Sequence, residues 1–167
     1  MRLALQRSQI SAEHVGHGVG VGFYFCRRAR GFGEVLSDGA ERGGDEVAGE
    51  VASMSGVKTI DLSGKTTIAE AVALLAEVDV LVANDMGLAH IAPAVDTRTV
   101  VIFGPTDPTT TRPYSDNADI LKYDVECSPC MLRDCPIDHR CMTNVTVADA
   151  FDRVVAALYP EENEQST

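Results

Sequence analysis

The chain has 167 residues, with 14 Lys and Arg against 25 Asp and Glu, giving a formal net charge of −11. So large an acid excess leaves little cationic surface to displace counterions from a phosphate backbone, which excludes nucleic acid as an expected partner. With 45% hydrophobic and 23% charged residues, the composition supports one packed domain and argues against an acidic disordered tail. No stretch approaches the roughly 18 consecutive apolar residues of a membrane span. Arg7, Glu13 and His14 interrupt the region where a signal peptide needs an apolar middle. A cytoplasmic protein without a transmembrane segment is expected.

Residues 1–43 read as an irregular amino-terminal segment. Four of the 14 glycines fall between Gly16 and Gly22, but they miss a dinucleotide-binding loop: the third glycine of the motif would fall at Val21 or Phe23. Residues 31–43 look helix-like and run straight into 43–52, which leaves no room for a strand between them. From residue 57 the pattern is regular. VKTIDL (57–62) predicts a strand, and Thr67 with Glu70 three residues on predicts a capping box opening a helix with Ile68, Ala71, Val72 and Leu75 on one face. VDVLVA (78–83) is a nearly continuous apolar run, as in a strand buried on both faces. LAHIAPAV (88–95) predicts a short helix, TRTVVIFG (97–104) another buried strand, and Thr146 with Asp149 a last helix carrying Val147, Phe151, Val154 and Leu158. Strands alternating with helices through short links predict an α/β fold with a Rossmann-like, parallel, doubly wound sheet. Such sheets bind ligands at the carboxyl ends of their strands. Residues 44–159 form the expected domain, and 160–167 a disordered tail.

Two segments suggest phosphate binding. GKTT (64–67) fails as a P-loop, because the glycine required five residues before Gly64 is Thr59. ANDMGLAH (83–90) sits between a buried strand and a helix, where the N–H groups of Met86, Gly87 and Leu88 and the helix dipole suit a phosphate. Asp85 would accept hydrogen bonds from sugar hydroxyls, and His90, one turn into the helix, would donate to a phosphate oxygen. Against this stands a structural alternative, with Asp85 an N-cap and His90 a core histidine. The cysteines form a second cluster: Cys127, Cys130, Cys135 and Cys141 lie in one Pro-punctuated loop, with a single CxxC at its start. Reduced thiols or a disulfide are expected there, with a structural zinc ion as the alternative.

NDMGLAHIAPAVDTRTVVIFGPTDP (84–108), followed by CSPCMLRDCPIDHRCM (127–142), resembles the donor-binding half of glycosyltransferase family 9, the lipopolysaccharide heptosyltransferases. The likeness covers roughly residues 44–159. Asp85, Met86, Gly87 and His90 align with the family's Asp-Ser/Thr-Gly-x-x-His loop, Gly104 to Pro108 with its Gly-Pro-Thr-Asp-Pro turn, and Leu62 to Thr66 with the segment beside the nucleotide base. The resemblance implies an incomplete carboxyl-terminal half of a GT-B enzyme that takes ADP-heptose, with no metal or other cofactor, for transfer to the lipopolysaccharide core. Asp85 would bind the heptose, the amides of Met86, Gly87 and Leu88 the diphosphate, His90 the phosphate side, and Thr66 would border the adenine pocket. The acceptor-binding half and its general base are expected in a domain missing from this sequence, so the chain alone is expected to be inactive and membrane association to concern the full enzyme. Met86 departs from the family by replacing a hydroxyl residue, and one sheet strand is expected to be missing. Two other readings remain open: a non-catalytic nucleotide-sugar binding module or inactive fragment, and a zinc-stabilised interaction domain.

Overall fold

The apolar runs become the inner strands of a sheet. The computed structural model describes residues 23–27, 32–36, 59–62 and 65–159. Among these residues the sheet has six strands: β1 (Phe23–Arg27), β2 (Phe32–Leu36), β3 (Thr59–Asp61), β4 (Val80–Asn84), β5 (Arg98–Phe103) and β6 (Ala118–Lys122). Their spatial order is β3-β2-β1-β4-β5-β6. β4, β5 and β6 are parallel, with Asn84 beside Ile102 and Phe103 beside Lys122, and β2 is parallel to β3. β1 runs antiparallel to both β2 and β4. Five strands therefore end at one edge, which carries the loops after β3, β4 and β5.

Side chains alternate across the sheet, so Leu81, Ala83, Val101 and Phe103 share one face. There they form a core with Ala71 and Leu75 of helix α1 (Ile68–Leu75) and Leu88, Ala89 and Ala92 of helix α2 (Gly87–Ala94). Val80 and Val100, which are also fully buried, belong to the alternate positions. A short helix α3 (Pro108–Thr111) follows β5, α4 (Arg140–Thr143) closes the cysteine loop, and α5 (Val147–Leu158) packs on β4, β5 and β6.

The predicted capping box forms, and the predicted last helix opens with a second one. Thr67 and Glu70 bond reciprocally at the start of α1, as do Thr146 and Asp149 at the start of α5, each pair satisfying N–H groups that the helix cannot. α2 ends in a Schellman arrangement: Asp96 is left-handed at φ 65°, Thr97 N–H donates to the Ala92 carbonyl at 3.0 Å, and Asp96 N–H to that of Pro93 at 3.4 Å. Thr97, itself buried, also donates its hydroxyl to the Leu75 carbonyl, which ties the end of α1 to the start of β5.

Three expectations change. Residues 23–27 and 32–36 are paired strands in the sheet, so they have the place that an irregular segment 1–43 would lack, and Phe32–Leu36 is extended where a helix was expected. Aromatic and β-branched residues in FYFCR and FGEVL fit a pleated surface better than a helix. The sheet is mixed rather than parallel throughout, because β1 and β2 are joined as a hairpin and a hairpin reverses the chain. Ile68 is 76% exposed and leaves the predicted stripe, so the buried face of α1 narrows to Ala71 and Leu75. The glycine string, residues 43–52 and the 160–167 tail lie outside the described residues.

Candidate donor site

The register of β4 and β5 brings two loops together at the carboxyl edge. Asn84 ends β4 beside Ile102, so Asp85 leaves the sheet level with the last residues of β5, where the turn Gly104-Pro105-Thr106-Asp107 leads into α3. Asp107 caps that helix: its Oδ1 accepts from Thr109 N–H at 2.9 Å and from the Thr109 hydroxyl at 2.8 Å. These two bonds, the backbone donor first, hold the Asp107 carboxyl below its ordinary value. Pro108 at the first helical position needs no N–H partner. The result places Thr111 beside the residue that follows β4, where its hydroxyl lies 3.0 Å from Asp85 Oδ2 and 3.0 Å from the Asp107 carbonyl oxygen.

Asp85 therefore has Thr111 on one carboxylate oxygen and His90 near the other. Its other oxygen, Oδ1, lies 3.7 Å from His90 Nε2, too long for a good hydrogen bond but close enough for attraction when the imidazole is protonated. The Asp85 side chain is 12% exposed and that of His90 45%. Neither structural alternative for these residues holds. Met86, with extended backbone and no side-chain cap bond, is the N-cap of α2, and His90 faces outward rather than into the core.

The first turn of α2 therefore starts without a side-chain acceptor of its own. Met86 packs against the hydrophobic core, and the Leu88 side chain is buried in it, so these two residues offer the edge their backbone N–H groups. Gly87 is exposed, and a Cβ built there would meet nothing within 4 Å. Thr66 follows β3 at the same carboxyl edge, just before the Thr67 cap. β2 and β1 separate β3 from β4, so strand spacing puts the two loops roughly 14 Å apart at the sheet. Asp85, Met86, Gly87, Leu88 and His90 form one cluster, and Thr66 stands apart from it along the edge.

The cysteine loop braces this edge from outside. Ser128 Oγ donates to the Gly104 carbonyl at 2.7 Å, and Cys130 and Met131 N–H donate to that of Pro105 at 3.0 and 2.9 Å. A Cβ at Gly104 would collide with the Met142 side chain unless that side chain moved. Cys127, Cys130, Cys135 and Cys141 are all unbridged, with Cys141 buried and the others half-buried. Burial, and then the neighbouring thiols of Cys127, Cys130 and Cys135, push the Cys141 thiol up, whereas backbone N–H groups of Ile137 and His139 hold Cys135 below its usual value. Among the described residues no three Cys, His, Asp or Glu side chains are gathered to hold a metal ion. The loop is fastened through backbone and Ser128, while the Cys135 sulfur accepts the His139 N–H at 3.3 Å.

Sequence reading missed Thr111. Asp-Pro at 107–108 is a helix-start signal, an N-cap followed by proline at the first position, and would have put Thr111 one turn on. No helix among the described residues is long and apolar enough to cross a membrane.

Comparison with known proteins shows the family. Residues 28–140 match the family model described as glycosyltransferase family 9 (heptosyltransferase). Lipooligosaccharide heptosyltransferase 2 of Campylobacter jejuni serotype O:6 is 35% identical over 139 residues, covering 78% of this chain and 44% of that protein. The corresponding Haemophilus influenzae enzyme is 46% identical over 63 residues, 38% of this chain and 18% of its own length. Among solved structures, Escherichia coli ADP-heptose lipopolysaccharide heptosyltransferase II superposes with a TM-score of 0.62 at 22% identity, over 77% of this chain and 37% of that one. The chain thus spans less than half the length of these relatives. With the family model running across both the Asp85 loop and the Asp107 turn, the chain belongs to glycosyltransferase family 9, the heptosyltransferase family.

Proposed function

We propose that this chain is the donor-binding half of a GT-B heptosyltransferase of lipopolysaccharide core assembly, with ADP-heptose as the donor. The observation that carries the proposal is the pairing of a held carboxylate, Asp85, with an uncapped helix start at Met86 and an open Gly87. Asp85 accepts from heptose hydroxyls. The N–H groups of Met86, Gly87 and Leu88 take the diphosphate with the help of the helix dipole. His90 stands on the phosphate side, and Thr66, along the edge, borders the adenine. In the reaction the bond from the anomeric carbon to the phosphate oxygen breaks, a bond to an acceptor hydroxyl oxygen forms, and ADP leaves. The acceptor proton passes to a base in the acceptor domain. This half contributes electrostatic stabilisation of the departing diphosphate. No metal or other cofactor enters, the partners are the nucleotide sugar and the core acceptor, and the setting is the cytoplasm, with membrane association a matter for the full enzyme.

Calorimetric titration of the chain with ADP and with ADP-heptose tests the assignment. Both ligands should bind, and Asp85→Ala should weaken ADP-heptose at least about tenfold while changing ADP by no more than about twofold, since the lost hydrogen bonds are to the sugar alone. Equal losses for the two ligands would remove Asp85 from the sugar site.

A further inference from the structure

We infer that Thr111 is a positioning residue for the donor sugar: its hydroxyl holds Oδ2 of Asp85 and so turns Oδ1 toward the ligand. The inference rests on Asp85 being the sugar-binding carboxylate and adds a residue from a different loop to that site. A carboxylate at the end of an Asp side chain rotates through a broad, shallow torsional well, so an unheld Asp85 would sample many orientations. Two contacts restrict it. Thr111 Oγ1 lies 3.0 Å from Oδ2, and His90 Nε2 lies 3.7 Å from Oδ1. The threonine bond is the shorter and is made to a side chain only 12% exposed, where competition from water is limited.

Thr111 is itself placed by short-range bonds. Asp107 fixes the start of α3 through Thr109, Thr110 donates its hydroxyl to the Asp107 carbonyl at 3.0 Å, and Thr111 N–H reaches the same carbonyl at 3.0 Å. Being β-branched, Thr111 has few χ1 choices. Its single hydroxyl proton has two acceptors at equal distance, Asp85 Oδ2 and the Asp107 carbonyl oxygen. The chain of placement runs from the Asp107 cap to α3, from α3 to Thr111, and from Thr111 to Asp85. A donor sugar meeting an oriented carboxylate loses less freedom on binding than one that must order it.

The test compares Thr111→Val, which keeps the shape and removes the donor, with Thr111→Ser, which keeps the donor, and with Asp85→Ala, all in the 167-residue chain titrated with ADP-heptose and ADP. Thr111→Val should weaken ADP-heptose about tenfold with ADP within about twofold, the loss of a hydrogen bond to a charged group. Thr111→Ser should recover most of the affinity, and the melting temperature of Thr111→Val should stay near that of the parent. In the Asp85→Ala background Thr111→Val should add nothing, because the two residues then act as one unit. If Asp85→Ala is selective for ADP-heptose and Thr111→Val is not, the positioning role is overturned and the sugar site stands. Equal loss of both ligands by Thr111→Val, with a lowered melting temperature, also overturns it by showing that the residue only holds α3. If Asp85→Ala does not discriminate between the ligands, the sugar site itself is overturned and the role of Thr111 falls with it.

Discussion

At the scale of single residues, Gly87 separates a packing requirement from a binding one. Most glycines next to a helix start are explained by backbone conformation or by a crowding neighbour, but a Cβ at Gly87 has open space around it. Alanine should therefore fold as well as glycine there, and helix propensity favours it by up to about 1 kcal/mol. The added methyl group would stand on the surface where the first-turn N–H groups of α2 are offered. Gly87→Ala is expected to leave the melting temperature unchanged or raised, and to weaken ADP binding by about tenfold or more through the lost close approach of backbone to phosphate. Unaltered ADP affinity in a stably folded Gly87→Ala chain would remove the 86–88 amides from the phosphate site. Gly104 makes the contrast, since a Cβ there would crowd the Met142 side chain. The sequence marks both glycines alike, and only the surroundings tell them apart.

At the scale of elements, the helix starts respond to acid in a predictable direction. Glu70 is held below its ordinary value by the Thr67 backbone N–H and hydroxyl, Asp107 by those of Thr109, and Asp149 by the Thr146 hydroxyl and then its N–H. Because folding depresses these values, the caps contribute fully above the unfolded carboxylate range near pH 4, and the contribution is lost as pH falls through the lowered folded values. The melting temperature of the parent should thus be nearly level from about pH 7 to 5 and fall below about 4, and Asp149→Ala should lie below it at pH 7 with the gap closing at acid pH. A gap of constant size across that range would show that Asp149 does not act through its charge. These caps, together with the apolar runs of β4 and β5, were legible because their signals are local: a Thr with Glu or Asp three residues on, and strands of five or six residues most of which are buried. β6 was not, because Ala118–Lys122 lies at the sheet edge and mixes Asp119 and Lys122 with Ile120 and Leu121. The hairpin of β1 and β2 escaped for another reason: strand pairing is a long-range choice, and FGEVL reads as either period over five residues. At the site, the Asp85 loop was visible as strand, glycine and helix in succession, whereas the bond to Thr111 joins residues 26 apart and follows only once β4 and β5 lie side by side.

At the scale of the whole molecule, the strand order β3-β2-β1-β4-β5-β6 is that of a doubly wound sheet whose direction of winding reverses between β1 and β4, where ligands of such folds bind. Here β1 runs antiparallel to its neighbours, so its carboxyl end lies at the opposite edge, and the loops after β4 and β5 furnish the residues next to that crevice. In the function proposed above, those loops would supply acceptors for sugar hydroxyls and donors for the departing diphosphate. Transfer also needs a base within hydrogen-bond reach of the acceptor hydroxyl and a surface that holds the acceptor there. The one carboxylate that the proposed function assigns to the sugar is Asp85, whose Oδ2 faces Thr111. The 167-residue chain, incubated with ADP-heptose and a core oligosaccharide acceptor, is therefore expected to bind the nucleotide sugar and yield no heptosylated product by mass spectrometry. Adding the acceptor domain of a family 9 relative, as a separate or fused polypeptide, should restore transfer, and Asp85→Ala should abolish most of the restored rate by weakening donor binding. Product formed by the chain alone would locate a base among its own residues, and the division between donor half and acceptor half would then be drawn in the wrong place.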